Sequence, residues 1–132
     1  MTRSRFAIWY LPAILWGLVI ITLTSMPKLV PPPLGFKAQD KLYHLLVYAV
    51  FGFLWMRACV QNRREFRGRF TWRCASCITL FAVLDELHQL FIPGRYADVI
   101  DAAADISGAL LGIFAYNILL KINLNKIQSD EG

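Results

Sequence analysis

Long apolar stretches separated by short polar segments dominate the chain, and their lengths predict helices that cross a membrane. The first stretch runs from Phe6 to Thr24 without a charged residue. About 20 apolar residues are needed to span the hydrocarbon core of a bilayer, and we interpret this stretch as an uncleaved anchor. With Pro93-Gly94 as a helix breaker, the pattern predicts four transmembrane helices, at about 6–24, 41–60, 71–92 and 98–120.

The predicted fold class is all-α, an integral membrane bundle of four helices that forms a single domain over residues 1–132. The composition supports this prediction, because 57% of the residues are hydrophobic and only 17% are charged. Soluble domains carry about 25% charged residues. A turn as short as Pro93-Gly94 favours a compact bundle, whereas nothing in the pattern specifies the oligomeric state.

The distribution of Lys and Arg predicts how the bundle is oriented. The N-terminus, the segment 57–73 and the C-terminal tail hold ten of these residues, and the other two connections hold four. Connections rich in Lys and Arg stay in the cytoplasm. We therefore expect a multi-pass protein of the cell membrane with both termini cytoplasmic (N-in/C-in) and a Pro-rich linker, 25–39, outside. The net charge of +5 then reflects topology, and we expect no nucleic-acid partner.

The three cysteines do not change this interpretation. Cys74-Ala75-Ser76-Cys77 has Cys-x-x-Cys spacing, but no strand-helix pattern of a thioredoxin-like protein surrounds it. We interpret Cys74 and Cys77 as small residues of a helix near the reducing cytosol. No cofactor is expected.

Charged and polar residues gather at the helix ends that this topology places outside. The candidates are Asp40, His44 and Tyr48 on the second helix, Asp85, Glu86, His88 and Gln89 on the third, Arg95 in the turn, and Asp98, Asp101 and Asp105 on the fourth. Because helix direction alternates, all three helix ends come to one side of the bilayer. Charged groups within apolar surroundings persist mainly where they pair, face a cavity or act, so this stretch indicates a site.

Three interpretations of the site remain open. In the first it is structural, with Arg95 paired to an acid such as Glu86 or Asp101 in a network that fixes the bundle. In the second it binds a polar or cationic head group, such as an amine or a phosphorylated lipid, of the membrane or of a lipid-linked cell-wall precursor. In the third it is catalytic, with Glu86 or Asp101 as the general base and Arg95 stabilising the charge of a phosphate. If a metal assists, His44 or His88 would bind it together with carboxylates.

Glycines predict which helix surfaces come close together. Gly52 lies on the face of the second helix that carries Asp40, His44 and Tyr48, and Gly108 and Gly112 follow the acids of the fourth helix on one stripe. Small residues at such positions let neighbouring helices approach closely in a membrane. We therefore expect both glycine-bearing faces to be packing surfaces.

Several of these motifs, taken in order, resemble the VanZ-like family. They are Asp40-Lys41-x-x-His44 with Tyr48, Asp85-Glu86-x-x-Gln89, Pro93-Gly94-Arg95, Asp98-x-x-Asp101-x-x-x-Asp105-x-x-Gly108 and, more weakly, Ser25-Met26-Pro27. The resemblance covers about residues 6–115. One departure is Asp105, which stands where many family members carry Asn.

The resemblance implies a small integral membrane protein of the cell envelope. The family's namesake is an accessory factor in resistance to the glycopeptide teicoplanin, so an accessory role in glycopeptide resistance or in envelope homeostasis is what the family suggests. The motif residues that carry over are Asp40, His44, Glu86, Gln89, Arg95, Asp101 and Asp105. The resemblance supplies no reaction, and we regard an enzyme as the less favoured alternative.

Overall fold

A computed structural model describes residues 3–27, 32–36, 38–60 and 67–130 of the chain. Four helices make up most of this part: α1 (Arg3–Thr24), α2 (Gln39–Val60), α3 (Arg67–Gln89) and α4 (Val99–Asp130). The described ranges contain no strand, which confirms the all-α prediction. Residues 28–31 and 37 of the predicted Pro-rich linker, and residues 61–66 of the predicted Arg-rich segment, lie outside the described residues.

The first and third helices begin earlier than predicted, at Arg3 rather than 6 and at Arg67 rather than near 71. Two C-terminal helix ends also differ from the prediction, and local chemistry explains both. The third helix ends at Gln89 rather than near 92, because the amides of residues 90–92 bond to carbonyls three residues back in a tighter turn. Gly94 then reverses the chain with a φ of 82°, a conformation that costs glycine little. The fourth helix continues to Asp130 rather than ending near 120, because no Pro or Gly interrupts residues 121–130.

Three of the four helices, α1, α2 and α4, are long and apolar enough to span a membrane. The 23 residues of α3 would reach about 34 Å at 1.5 Å per residue, enough to cross the hydrocarbon core. Its composition sets it apart, because Arg67, Arg69 and Arg73 lie at one end and Asp85 and Glu86 at the other. The chain is therefore a helical membrane protein in which the most polar helix carries part of the candidate site.

The closest helix pair is α2 and α4, which pack side by side and point in the same direction. Side-chain contacts join His44 to Asp105 near the start of both helices, and Phe53 to Tyr116 further along both. A side chain at Gly52, Gly108 or Gly112 would collide with the backbone of the opposite helix. The three glycines line this seam, as predicted, and they permit direct contact between the two backbones.

The remaining helices cover the α2–α4 pair and contribute aromatic packing. Phe51 of α2 and Phe81 of α3 meet edge to face with ring centroids 4.9 Å apart, and the indole N–H of Trp16 in α1 donates to the carbonyl of Val47 at 2.9 Å. Where α1 begins and α2 ends, the Arg57 guanidinium lies 4.7 Å from the centre of the Trp9 ring. Among the helices that touch, α1 and α3 contact each other least, and α1 does not contact α4 within the described residues.

The predicted interpretation of the Cys-x-x-Cys sequence agrees with the packing. Cys74 is buried in the core with Met56 and Ile113, whereas Cys77 is exposed, and neither forms a disulfide. The two thiols therefore have different surroundings.

Candidate functional site

Polar side chains from all four helices lie at one end of the bundle. This end, which we call the polar end, comprises the C-terminal ends of α1 and α3 and the N-terminal ends of α2 and α4. Every predicted site residue belongs to one of these helix ends or to the α3–α4 turn. The contacts below divide them into four groups.

The first group is centred on a lysine. The Lys41 ammonium lies 3.1 Å from a carboxylate oxygen of Asp40, 2.6 Å from one of Asp98 and 2.7 Å from one of Asp101. Asp98 also caps α4, because its other carboxylate oxygen accepts from the amide of Ile100 at 2.8 Å. The hydrogen bond from Lys41, and next the one from the Ile100 amide, hold the pKa of Asp98 below its ordinary value.

The second group is the pair of His44 on α2 and Asp105 on α4. His44 Nδ1 and Asp105 Oδ1 are 3.0 Å apart. Asp105 has no exposed surface, and its Oδ2 has no hydrogen-bond partner among the described residues. A buried carboxylate oxygen without a partner is costly, so Oδ2 is an acceptor still available to a ligand or a proton.

The third group joins α1, α2 and α3 through Asp85. Its two carboxylate oxygens accept from the Thr24 hydroxyl at 2.8 Å and from the Tyr48 hydroxyl at 3.0 Å. All three side chains are buried. We call them the Asp85 triad. Both donors are neutral, so the charge of an ionised Asp85 is not balanced by an ion pair in this triad.

The fourth group links α3 to the start of α4 and the end of α1. Glu86 accepts from Gln89 Nε2 at 3.2 Å and from the backbone amide of Asp98, which fixes the α3–α4 turn. Gln89 in turn accepts from Arg95 Nη1 at 3.4 Å. Glu86 and Gln89 are both buried.

The structure corrects the predicted partner of Arg95. The structural interpretation paired its guanidinium with an acid such as Glu86 or Asp101. Instead Nε donates to the carbonyl of Met26 at 3.3 Å and Nη2 to that of Leu23 at 3.1 Å, besides the bond to Gln89. Carbonyls at the C-terminal end of a helix lack the usual helical donors, and the α3–α4 turn holds Arg95 beside these two. The Leu23 carbonyl also accepts from the amide of Met26 at 3.2 Å.

His88 is the one predicted site residue that joins none of the four groups. Its Nδ1 is enclosed and makes no hydrogen bond within the described part of the chain. Across those same residues, no three His, Cys, Asp or Glu side chains come together in a way that could hold a metal ion.

Two residues of the site were missed as site candidates from sequence, and each had a signal. Lys41 is the only Lys or Arg that pairs with acids at the polar end among the described contacts. It precedes His44 by three residues, which places both on one face of α2. Thr24 ends an otherwise apolar helix, where a hydroxyl needs a partner, but only the packing of α3 against α1 shows that the partner is Asp85.

Among the residues that the structure describes, acidic groups outnumber basic ones at the polar end. Six carboxylates, Asp40, Asp85, Glu86, Asp98, Asp101 and Asp105, stand against Lys41, Arg95 and two histidines, His44 and His88. Lys41 contacts three of the more exposed acids, whereas Asp85, Glu86 and Asp105 are the buried ones, with exposed fractions of 5%, 6% and 0%. A buried carboxylate is stable only if it is paired, hydrogen-bonded or protonated, so this cluster can accept protons or hydrogen bonds from a cationic group.

Comparison with known proteins places the chain in a family. No curated protein and no solved structure gives a significant match. A family model described as VanZ/LLP1 matches residues 7–120, which include all of α2 and α3, most of α1 and α4, and every group of the polar end. The chain therefore belongs to the VanZ/LLP1 family of helical membrane proteins.

Proposed function

We propose that this protein acts in the cell envelope by binding a membrane lipid, or a lipid-linked cell-wall precursor, through the polar end. The ligand's polar head group carries an amine or another strong hydrogen-bond donor. We further propose that the polar end faces outward, as the Lys and Arg distribution predicts, so that the ligand comes from the outer leaflet. An accessory part in glycopeptide resistance or envelope homeostasis is the biological setting that family membership suggests.

The single observation that carries this proposal is the surplus of buried carboxylate among the described residues of the polar end. Asp105 Oδ2 has no hydrogen-bond partner among the described residues, and neither Asp85 nor Glu86 contacts a Lys or Arg there. Taking a charge out of water is costly unless an opposite charge compensates for it. An ammonium group that reaches these acids would supply the missing charge.

The surroundings of the polar end also suit a ligand that resides in the membrane. Phe91, Tyr96 and Val99 border it with exposed fractions of 82%, 85% and 84%. Aromatic and apolar side chains at the bilayer surface anchor a protein at the level of the head groups. Residues placed in this way would hold the acids at the depth where lipid head groups lie.

The arrangement supports an amine more strongly than a phosphate. Arg95 is the residue best suited to a phosphate, but its guanidinium already donates to two carbonyls and to Gln89. A phosphate would have to displace these acceptors and then lie beside a surplus of carboxylates. This contact pattern also weakens the alternative in which the protein is an enzyme that uses Arg95 to stabilise phosphate charge.

Binding to lipids that differ only in head group tests the proposal. The purified protein is titrated with phosphatidylethanolamine and with phosphatidylglycerol of identical chains, and complexes are counted by native mass spectrometry. We expect the wild type to prefer the amine lipid by about tenfold, the factor that corresponds to 1.4 kcal/mol. Asp105→Asn, which keeps the shape but removes the charge, should abolish the preference.

The control is Asp130→Asn, the same chemical change at the exposed end of α4, which should leave the preference intact. Equal binding of the two lipids by the wild type would refute the proposal. A preference that survives in Asp105→Asn would show that the buried acid does not recognise the head group.

A further inference from the structure

We propose that an apolar groove between α1, α2 and α3 holds one hydrocarbon chain of the lipid, with the Asp85 triad at the groove's polar end. The inference rests on the proposed function and deepens it, because it assigns a second binding site to the same ligand. The ligand class that follows is an amphipathic lipid recognised by its chain as well as by its head group.

The groove exists because α1 and α3 pack less closely than the other neighbouring helices. It encloses about 330 Å³, and its walls are apolar side chains that include Ile21, Phe51, Trp55, Ile78 and Phe81. Gly17 forms part of the α1 wall, and a Cβ at that position would meet the rings of Phe51 and Phe81 at ordinary contact distances. Glycine is therefore not required there for close helix contact.

One helical turn separates the groove from the triad on each of the three helices. Ile21 precedes Thr24 by three residues on α1, Phe51 follows Tyr48 by three on α2, and Phe81 precedes Asp85 by four on α3. Residues three or four apart on a helix lie on the same face.

Ring contacts continue from the groove to the triad. The ring centroid of Tyr48 lies 6.2 Å from that of Phe51 and 6.3 Å from that of Phe81. A molecule in the groove would therefore meet buried hydroxyl and carboxylate groups at one end and hydrocarbon along the rest of its length.

The size and surroundings of the groove favour a hydrocarbon chain of a lipid as its occupant. A transmembrane helix with its side chains is about 10–12 Å wide, too broad for a cleft of this volume within three packed helices. The groove lies along the apolar spans of α1 and α2, where the surrounding medium is hydrocarbon. Van der Waals packing is the main attraction between apolar surfaces in a membrane, so a chain that fills the groove gains contacts that bulk lipid does not provide.

Two tryptophan substitutions separate the groove from the neighbouring surface. Cys77 lines the groove, and Ser76, next to it on α3, is exposed and does not. Cys77→Trp should fill the groove, and Ser76→Trp should not. Each variant is titrated with phosphatidylethanolamines whose chains have 6 or 16 carbons. We expect the wild type and Ser76→Trp to favour the long chain by at least tenfold, and Cys77→Trp to lose this preference.

The same variants distinguish failure of this inference from failure of the proposed function. With 6-carbon chains, Cys77→Trp should still prefer phosphatidylethanolamine over phosphatidylglycerol, because the acids are unchanged. If Cys77→Trp keeps the chain-length preference, the groove is not the chain site, while the head-group proposal stands. If the wild type shows neither preference, both proposals fail.

Crosslinking in the wild type provides a test that does not depend on the folding of a variant. A phosphatidylethanolamine with a diazirine at the middle of one chain is photolysed in the complex, and the labelled peptides are mapped. We expect labels at residues 13–21 and 77–81. Labels confined to the exposed face of α4, around Leu111 and Phe114, would overturn the inference.

Discussion

Helices α2 and α4 meet in two regions of opposite chemistry. Along the seam, Gly52, Gly108 and Gly112 bring backbone against backbone, and no side chain can be added without displacing a helix. At the polar end, the same two helices are joined by His44–Asp105 and by the contacts of Lys41. Packing along the seam depends on the small volume of the glycines, whereas packing at the polar end depends on contacts between charged groups. A change of size should therefore damage the first region most, and a change of charge the second.

The largest effect should come from filling the seam. Gly112→Val places a branched side chain against the backbone of Ala49 and Phe53, which cannot move without separating the helices. We expect a loss of about 3 kcal/mol in the free energy of unfolding, the upper part of the usual range for overpacking. Unfolding in mixed micelles with increasing SDS measures it.

Ala115→Val adds a branched side chain at an exposed position of the same helix and serves as the control. Its loss in the free energy of unfolding should be far smaller, because only lipid or detergent surrounds the new methyl groups. Equal losses in the two variants would mean that the seam is not under the steric constraint described here.

A smaller loss should follow from removing one partner of the buried pair at the polar end. His44→Leu leaves both oxygens of Asp105 without a partner, and the cost should be about 2 kcal/mol, as for a buried polar group left unsatisfied. His88→Leu is the matched control, because Nδ1 of the His88 imidazole has no hydrogen-bond partner within the described residues. If the two leucine variants unfold alike, the His44–Asp105 contact contributes nothing to stability.

A still smaller and pH-dependent effect should follow from Lys41→Met. The Lys41 ammonium holds the pKa of Asp98 below its ordinary value of 3.8. A group with a lowered folded-state pKa stabilises the fold above its unfolded-state pKa, and the contribution is lost as the pH falls through the folded-state value. The difference in melting temperature between wild type and Lys41→Met should therefore be largest near neutral pH and shrink below about pH 4.

Lys126→Met, at an exposed position of α4, is the control for Lys41→Met and should melt like the wild type at every pH. A difference between wild type and Lys41→Met that stayed constant down to pH 3 would argue against charge as the source of the effect.

A cysteine substitution in the linker, which should disturb the structure least, tests which side of the membrane the polar end faces. Leu34 is exposed in the linker between α1 and α2, whereas Gly35 has a φ of 85° that a cysteine would adopt only with strain. Leu34→Cys, in a version with the three native cysteines replaced by alanine, should react with an impermeant maleimide added to intact cells. Reaction only after the cells are opened would place the polar end in the cytoplasm.

The two regions also differ in how much of their structure could be predicted from the sequence. Apolar run length predicted four helices, and glycine spacing predicted close packing at Gly52, Gly108 and Gly112, because both depend on residues near one another in the chain. The predicted gathering of polar residues at one end followed from alternating helix direction. Whether these residues bind a ligand remains a prediction.

Contacts between distant residues could not be predicted in the same way. Lys41 binds Asp98 and Asp101 because α2 and α4 are immediate neighbours, and charge alone would have allowed Arg95 as the partner of these acids. Arg95 bonds to Leu23 and Met26 because their carbonyls, at the end of α1, lie beside the turn. Both assignments depend on which helices pack together, and no periodicity within a single helix carries that information.

The parallel packing of α2 against α4 has a consequence for how the protein folds during its synthesis. About 60 residues separate His44 from its partner Asp105, and a ribosome that adds roughly 5–20 residues per second needs about 3–12 s to make them. During that interval α2 has already emerged with Lys41 and His44, while α3 must turn back before α4 can arrive beside it. The position of these two residues in the first turns of α2 keeps them within reach of water until translation delivers their counterparts.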